Sequence, residues 1–257
     1  MRASIQAAGC KLLYRQWVGT VQQDLSFKFD PYLPLIDPEH FTDIAFYREL
    51  EKIGYRQVLL GGTGVSNLAE VVTQIKRQTD LQVVLYPAGP DSLADADVVL
   101  LPDVMNTNSH HGRPFGSGAV STAVNIARRG LNFLPLAYFI MGESTARWYY
   151  DAFLIKKPKV ILGYATYARM VGYRFLALDY EDPELNIDPE LITALRTIEG
   201  MHLVVSDEFT PASAVEARAL GIDTVVTPSN LYEESSDPLA MAADFHRALL
   251  RPGAGTA

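Results

Sequence analysis

The chain has 257 residues, of which 48% are hydrophobic and 20% are charged. This composition is typical of a packed globular protein and excludes a disordered or low-complexity chain. The net charge of -8 argues against a general nucleic-acid binder, because such a protein needs a basic surface to displace counterions. A single cysteine, Cys10, rules out an internal disulfide and a cysteine-based zinc site.

The start of the chain, MRASIQAAGCKLLYRQW, is interrupted by Lys11, Arg15 and Gln16 where a secretory signal would have its apolar core. No window approaches the run of about 18 unbroken apolar residues that a membrane-spanning helix needs. These patterns predict a soluble cytoplasmic protein without stable membrane insertion.

Short β-branched apolar runs recur along the chain, and most are followed by residues with apolar positions at helical spacing. In chain order the predicted strands are 33–37, 57–61, 82–86, 97–101, 134–141, 174–179, 202–206 and 224–227. The predicted helices are 40–53, 67–78, 116–129, 158–171, 188–199, 211–220 and 237–250. The connection after Tyr86 is too short for a full helix.

This alternation indicates parallel βαβ units and predicts an α/β fold, a single-domain (β/α)8 TIM barrel. A doubly wound open sheet is the alternative. We expect residues 1–27 to form an N-terminal helical segment packed on the barrel, residues 28–250 to form the barrel domain, and residues 251–257 to form a flexible tail.

In a TIM barrel the reacting groups lie at the carboxyl ends of the strands. Asp37 follows the apolar run LPLI and precedes Pro38, which we expect to open the next helix. The aspartate is therefore either a magnesium ligand or an ordinary helix cap. Next in order, the turn GGT lets backbone N–H groups approach phosphate oxygens, although a glycine turn without function fits almost as well.

Three further strand ends carry polar or aromatic groups. Asn106, Thr107 and Asn108 are either ligands or turn formers, and the run Trp148–Tyr150 is either buried packing or a pocket wall. The acidic stretch LDYEDPELNIDPE is either a cation site or a solvated loop, but Asp179 differs because it lies directly at a strand end.

The ordered set LIDPEH, GGTGVSNLAEVVTQIK, VVLYP and ADVVLLPDVMNTN resembles the geranylgeranylglyceryl phosphate synthase family and its bacterial PcrB relatives. The resemblance runs from about Trp17 to Glu234. Asp37 matches the family's magnesium-binding aspartate, Thr63 its GGS hydroxyl residue and Asn106 its LNS asparagine, whereas Asp30 imitates the aspartate motif seven residues too early.

The resemblance implies a TIM barrel that transfers a prenyl chain from its diphosphate to a hydroxyl of glycerol 1-phosphate, with Mg2+ on the leaving diphosphate. A homodimer would also be like the family. The chain departs from the family after the sixth, seventh and eighth strands, where it reads ALDYEDPE, SDEFTPASA and TPSN. The family glutamate becomes Asp179, and carboxylates replace the glycines that bind the acceptor's phosphate.

We therefore expect a Mg2+-dependent prenyltransferase whose substrates are a prenyl diphosphate and a small-molecule acceptor other than glycerol 1-phosphate: an amine, an aromatic or a neutral alcohol. A terpene cyclase or diphosphate lyase, and a non-catalytic isoprenoid-binding protein, are the alternatives. The expected metal ligands are Asp37 and Thr63; the expected catalytic groups are Asp179, Glu143, Asp207 and Glu208; the expected substrate-binding residues are Gly61, Gly62, Thr63, Tyr86, Asn106, Asn108, Tyr138, Ser206, Ser229 and Asn230.

Overall fold

The computed structural model describes residues 22–23, 26–62, 65–109, 117–182 and 186–250. Its strands are β1 Gln22–Gln23, β2 Tyr32–Ile36, β3 Gln57–Gly61, β4 Gln82–Tyr86, β5 Val98–Val104, β6 Asn132–Ile140, β7 Phe175–Asp179, β8 His202–Ser206 and β9 Thr224–Thr227. Its helices are α1 Ile44–Ile53, α2 Leu68–Gln78, α3 Ser117–Arg129, α4 Thr145–Tyr150, α5 Pro158–Met170, α6 Pro189–Leu195, α7 Pro211–Ala219, α8 Ser229–Glu233 and α9 Pro238–Leu249.

Strands β2 to β9 form a closed parallel barrel. Each pairs with its neighbour in chain order, and the sheet closes where Leu33 of β2 lies opposite Val226 of β9. The predicted (β/α)8 TIM barrel is therefore confirmed. Within the part of the chain that the structure describes, no helix is long and apolar enough to cross a bilayer.

Alternation along the strands divides the apolar residues into two clusters. Residues such as Val58 and Leu60 of β3 face outward and pack with the helices, whereas Leu59 between them faces the barrel interior. At the amino-terminal end the interior is filled by Phe27 and Phe29, and the Phe29 ring lies 5.0 Å from that of Phe175. The aromatic rings therefore close the barrel interior at this end.

Four local predictions were wrong. Residues 22–23 form the short strand β1, which pairs with β6, rather than part of a helix. The helix expected from residue 40 begins at Ile44, because Asp43 caps it and Pro38 lies in the turn after Asp37. Helices α4 and α8 had not been predicted. The rest of the predicted N-terminal helix, apart from residues 26–27, and the predicted flexible tail lie outside the described residues.

The end of α1 depends on a glycine. Gly54 adopts a left-handed conformation with φ 117°, and its N–H donates to the carbonyl oxygens of Leu50 and Glu51. A Cβ atom at this position would lie 2.6 Å from Nε2 of His246 in α9. Any side chain here would therefore strain the backbone and also collide with a neighbouring helix.

We expect Gly54→Ala to lower the free energy of unfolding by about 1–2 kcal/mol or more, the cost of a left-handed non-glycine residue plus a steric clash. Gly163→Ala is the matched control, since Gly163 lies within α5 and nothing lies within 4 Å of a Cβ there. The control should gain about 0.5–1 kcal/mol from helix propensity. Urea unfolding measures both, and equal stability of the two variants would contradict the argument.

Candidate functional site

A cavity of about 150 Å3 opens at the carboxyl end of the barrel. Inward-facing positions at the ends of the strands form its wall, together with α4 and the turn after β4. The lining residues are Leu35, Gly61, Gly62, Tyr86, Ala88, Tyr138, Thr145, Ala146, Tyr149, Tyr150, Asp179 and Glu181. Among these described residues none carries a cationic side chain, and two carry carboxyl groups.

Asp37 lies just beyond the end of β2, at the edge of this cavity. Its Oδ1 accepts a hydrogen bond from the N–H of Glu39 at 2.8 Å, so the carboxylate closes its own turn rather than capping α1. A Cβ atom at Gly62 would lie 2.5 Å from Asp37 Oδ2, so only glycine permits this close approach. Gly62 therefore lies between the Asp37 carboxylate and the cavity.

A histidine and a glutamate lie beside Asp37. One ligand atom from each of Asp37, His40 and Glu233 lies within 4.8 Å of the others. Burial raises the pKa of the Asp37 carboxyl, and the Glu233 carboxylate raises it further against the hydrogen bond from Glu39. Two carboxylates suit a hard divalent cation, and an imidazole suits a transition metal, so this donor set fits a divalent ion.

Asp179 ends β7 and points into the cavity. Its Oδ2 accepts hydrogen bonds from the hydroxyls of Tyr138 (2.5 Å) and Ser144 (3.3 Å), and its Oδ1 accepts one from the N–H of Glu181 (3.2 Å). The side chain is almost fully buried, and burial raises its pKa in opposition to these three donors. Its neighbour Glu181 has one described side-chain donor, so Asp179, with three donors, is the carboxyl of the two that ionises first.

Glu181 is the second carboxyl of the cavity. Its Oε1 accepts a hydrogen bond from Ser206 Oγ at 2.8 Å. Burial raises the pKa of Glu181 to about 8, and the neighbouring Asp179 carboxylate adds to the increase. The sequence named this residue only as part of the acidic stretch, although period-two alternation beyond β7 places it on the inward side with Asp179.

Aromatic rings form the apolar wall. Tyr86 and Tyr138 lie with their ring centroids 5.8 Å apart, and Tyr149 meets Tyr150 edge-on at 4.8 Å. The buried Tyr86 hydroxyl has no hydrogen-bond partner within the normal distance and angle limits. The hydroxyls of Tyr138 and Tyr150 are close enough to influence its pKa. An oxygen of a bound ligand could therefore accept from it.

Asn106 does not have the role predicted for it. Its amide nitrogen donates to the carbonyl oxygens of Ile140 (2.7 Å) and Phe153 (2.8 Å), and its oxygen accepts from the N–H of Ile140. The residue is only 1% exposed. The side chain joins β6 to the segment before α5, so it is a structural residue with neither amide hydrogen available to a diphosphate.

Other predicted residues lie away from the cavity wall. Glu143 is exposed and pairs with Arg147, and Asn108 is exposed beyond β5. Trp148 is 89% exposed and lies outside the cavity wall, whereas Tyr149 and Tyr150 of the same predicted run line the cavity. Thr63 lies outside the described residues.

The loops after β8 and β9 carry the remaining predicted residues. Asp207 is partly buried, and burial raises its pKa to about 6. Glu208 is exposed and accepts a hydrogen bond from Asn230 Nδ2 at 3.0 Å. Ser229 is the first residue of α8 and is partly buried. These groups surround the side of the mouth nearest to Ser206 and Glu181.

Known proteins with this sequence pattern are enzymes. The PcrB family matches residues 24–245. Geranylgeranylglyceryl phosphate synthase of Thermofilum pendens is 32% identical over 218 residues, which cover 80% of this chain and 84% of that protein. The enzyme of the same name from Cenarchaeum symbiosum is 32% identical over 203 residues, covering 74% of this chain and 79% of that protein.

Solved structures agree on the fold. (S)-3-O-geranylgeranylglyceryl phosphate synthase of Thermoplasma acidophilum, crystallised with its substrate sn-glycerol-1-phosphate, has a TM-score of 0.74 at 20% identity and covers 93% of this chain and 96% of its own. The Thermoplasma volcanium enzyme has a TM-score of 0.73 at 18% identity, with the same coverage. The prediction of a prenyltransferase is confirmed at the level of enzyme class. The chain belongs to the PcrB family.

Proposed function

We propose that this enzyme transfers a prenyl group from an allylic prenyl diphosphate to an acceptor that carries no phosphate group. The observation that carries the proposal is the composition of the rim at β7 and β8. Carboxyl groups occupy that rim, and the backbone N–H groups of four residues there are already paired: Tyr180, Asp207, Glu208 and Thr210. The donor half of the proposal rests on Asp37, Gly62 and the tyrosine-lined cavity beside them.

At the donor side, Asp37 and Glu233 are the proposed ligands of Mg2+, with His40 as their neighbour. A bound cation would stabilise the negative charge that develops on the departing diphosphate. Gly62 leaves room for the Asp37 carboxylate and presents its own backbone to the cavity. The rings of Tyr86, Tyr138 and Tyr150 keep water away from the allylic carbon as its C–O bond breaks.

At the ends of β7 and β8, four backbone N–H groups have internal partners. Those of Tyr180 and Asp207 donate to the carbonyl oxygens of Ser206 and Val226. Those of Glu208 and Thr210 donate to side-chain oxygens of Asp207 and Ser213 at 2.8 and 2.9 Å. Among the described residues after β7 and β8, these four N–H groups are therefore not available to bind phosphate in the way that loops and helix starts do.

Charge also disfavours a phosphorylated acceptor here. Two unit charges of like sign about 5 Å apart repel by about 3 kcal/mol at an effective dielectric constant of about 20. A phosphate dianion beside Asp179 would meet at least this cost, with Asp207 and Glu208 adding to it. A neutral alcohol, an amine or an aromatic ring avoids the cost.

Glu181 is the proposed proton acceptor. The acceptor's nucleophilic atom bonds to the allylic carbon, the diphosphate leaves with the electrons of the broken C–O bond, and the nucleophile's proton passes to Glu181. Asp179 remains ionised beside it and stabilises positive charge on the prenyl carbon. Ser206 fixes the orientation of the Glu181 carboxyl through its hydrogen bond.

Glycerol 1-phosphate is the second candidate acceptor. It is favoured by the relatives, which are geranylgeranylglyceryl phosphate synthases, and by the Thermoplasma acidophilum complex that contains it. The two candidates differ in one measurable property, which is the affinity of the protein for a small phosphate ester in the absence of the donor.

Asp37→Asn should lower prenyl transfer by about 100-fold or more, because a neutral amide is a poorer ligand for a divalent cation and leaves the diphosphate charge uncompensated. Binding of Mn2+, followed by electron paramagnetic resonance, should weaken in parallel. Asp43→Asn is the matched control, since Asp43 caps α1 and asparagine is an equally good cap. Unchanged Mn2+ binding in Asp37→Asn would refute the metal assignment.

The acceptor is tested by incubating the protein and Mg2+ with geranyl, farnesyl or geranylgeranyl diphosphate and a panel of acceptors, followed by mass spectrometry. We expect a prenylated product with a neutral alcohol, an amine or an aromatic such as indole. Calorimetry should detect no binding of glycerol 1-phosphate. Turnover without any acceptor would establish a cyclase or lyase instead, and transfer to glycerol 1-phosphate alone would establish the second candidate.

Glu181→Gln should reduce the rate of transfer by about 100-fold or more, the usual contribution of a general base. In the parent enzyme the rate should rise as pH increases toward about 8, because Glu181 must lose its proton first. The variant should lose this rise. Glu216→Gln, an exposed position of α7, serves as control and should keep the parent profile.

The same variant has a stability signature that is independent of activity. The pKa of Glu181 is raised from 4.5 in the unfolded chain to about 8 in the folded protein, so folding favours the protonated form. The contribution of Glu181 to the free energy of unfolding is therefore fully present below about pH 4.5, and it is lost progressively as pH rises toward about 8. Glu181→Gln should unfold at a higher temperature than the parent near pH 8, and near pH 4 the difference should vanish.

A further inference from the structure

An exposed group of aromatic, aliphatic and basic side chains lies between the end of β6 and the first turn of α5. Trp148 is 89% exposed, and Tyr149, Phe153 and Leu154 are also exposed. Lys156, Lys157 and Lys159 follow within five residues of Leu154, and all three are exposed. We call these seven residues the aromatic–basic patch. Exposed apolar side chains concentrated in so short a segment indicate an interaction surface.

The patch lies beside the mouth of the cavity. Its segment follows the carboxyl end of β6, and Tyr149 contributes both to the patch and to the cavity wall. The Tyr149 hydroxyl donates to the carbonyl oxygen of Ala88 at 2.7 Å, which connects the patch to the turn after β4. A partner bound to the patch would therefore lie at the entrance of the substrate cavity.

The cavity is too small to enclose a prenyl chain by itself. Its volume is about 150 Å3, and a protein cavity of about this volume holds a molecule the size of benzene. A longer isoprenoid would therefore extend beyond the cavity, and Tyr149 places the patch at the cavity mouth. Apolar chains of this kind are held in a bilayer in the absence of protein.

The local charge is opposite to that of the whole chain. Between residues 143 and 159 the charged side chains are the basic Arg147, Lys156, Lys157 and Lys159 and the acidic Glu143 and Asp151. Glu143 pairs with Arg147. The three lysines therefore outweigh Asp151, although the complete chain has a net charge of -8. A positive patch on an acidic protein favours an anionic partner at that place.

We propose that the aromatic–basic patch docks on the anionic surface of a lipid bilayer and so places the cavity mouth against the membrane. Tryptophan and tyrosine favour the headgroup level of a bilayer, and lysines beside them are attracted to anionic lipids. The idea rests in part on the proposed function, because a prenyl substrate and its product are lipids. It requires adsorption only, without a spanning helix.

A second copy of the chain fits the patch less well. In a two-fold symmetric dimer the same surface meets itself, so the three lysines of one copy would approach those of the other. Like charges brought together in an interface are repulsive, whereas an anionic bilayer neutralises them. The combination of aromatics and lysines therefore favours the lipid surface over self-association.

The test is co-sedimentation of the full chain with vesicles, without substrate. Vesicles of phosphatidylcholine mixed with an equal part of phosphatidylglycerol should bind the protein, and phosphatidylcholine alone should bind it weakly. The triple variant Lys156→Glu, Lys157→Glu, Lys159→Glu should bind the anionic vesicles at least about tenfold more weakly. Trp148→Ala should bind several-fold more weakly because it loses the interfacial anchor.

Two matched controls lie away from the mouth. Met170→Ala removes a side chain of similar exposure at the end of α5, and Arg77→Glu reverses an exposed charge near the end of α2. Both should leave vesicle binding unchanged. In a Trp17→Phe background Trp148 is the only tryptophan, and its fluorescence should shift to shorter wavelength on binding.

Equal binding by the triple variant and the parent, or no binding to anionic vesicles, would overturn the docking proposal. Loss of oligomerisation in Trp148→Ala without any vesicle binding would instead assign the patch to a second copy. Because no substrate is present, these outcomes do not depend on the acceptor. Transfer to a water-soluble acceptor in detergent should survive in the triple variant, which separates a docking failure from a failure of the proposed function.

Discussion

A closed barrel of eight parallel strands gives each strand only one inward face, and this constraint determines what the interior can contain. Phe27 and Phe29 fill the amino-terminal end, and apolar residues such as Leu59 fill the middle. Polar groups therefore reach the cavity at the last inward position of a strand or beyond it. Gly61, Tyr86, Asp179 and Ser206 occupy such positions, which is why the chemistry of this chain is concentrated at one end.

The two carboxyl groups of the cavity illustrate how unequal hydrogen bonding separates the roles of similar residues. Asp179 accepts from Tyr138, Ser144 and the N–H of Glu181, and these donors oppose the increase in its pKa that burial causes. Glu181 accepts only from Ser206 in its described side-chain contacts and retains its proton to about pH 8. One buried anion beside one protonatable neighbour is an arrangement suited to stabilising a cation and removing a proton.

The sequence predicts the barrel because its signal is repeated: four of the predicted strands, including 57–61 and 202–206, match the structure residue for residue. Asp37 and Asp179 could be placed because each directly ends a strand. Asp30, which imitates the Asp37 motif, lies at the opposite end and pairs with Arg56 at 2.7 Å, as its position seven residues earlier required.

Other parts of the site could not be obtained in this way. Glu233 lies 196 residues after Asp37, and no local pattern connects the two residues. Asn106 has the residue type of a ligand, but its role depends on Ile140 and Phe153, which only the folded chain brings to it. The short helices α4 and α8 have too few turns to show an apolar period, so tertiary packing rather than pattern determines them.

Closure of the barrel joins the two ends of the folded domain. Strand β2 pairs with β9, and the Tyr32 hydroxyl bonds to Thr227 Oγ1 at 2.7 Å across 195 positions of sequence. During synthesis one edge of β2 therefore stays unpaired until β9 has left the ribosome. A nascent chain shorter than about residue 227 exposes that edge, and this interval is when chaperone binding or aggregation competes most directly with productive folding.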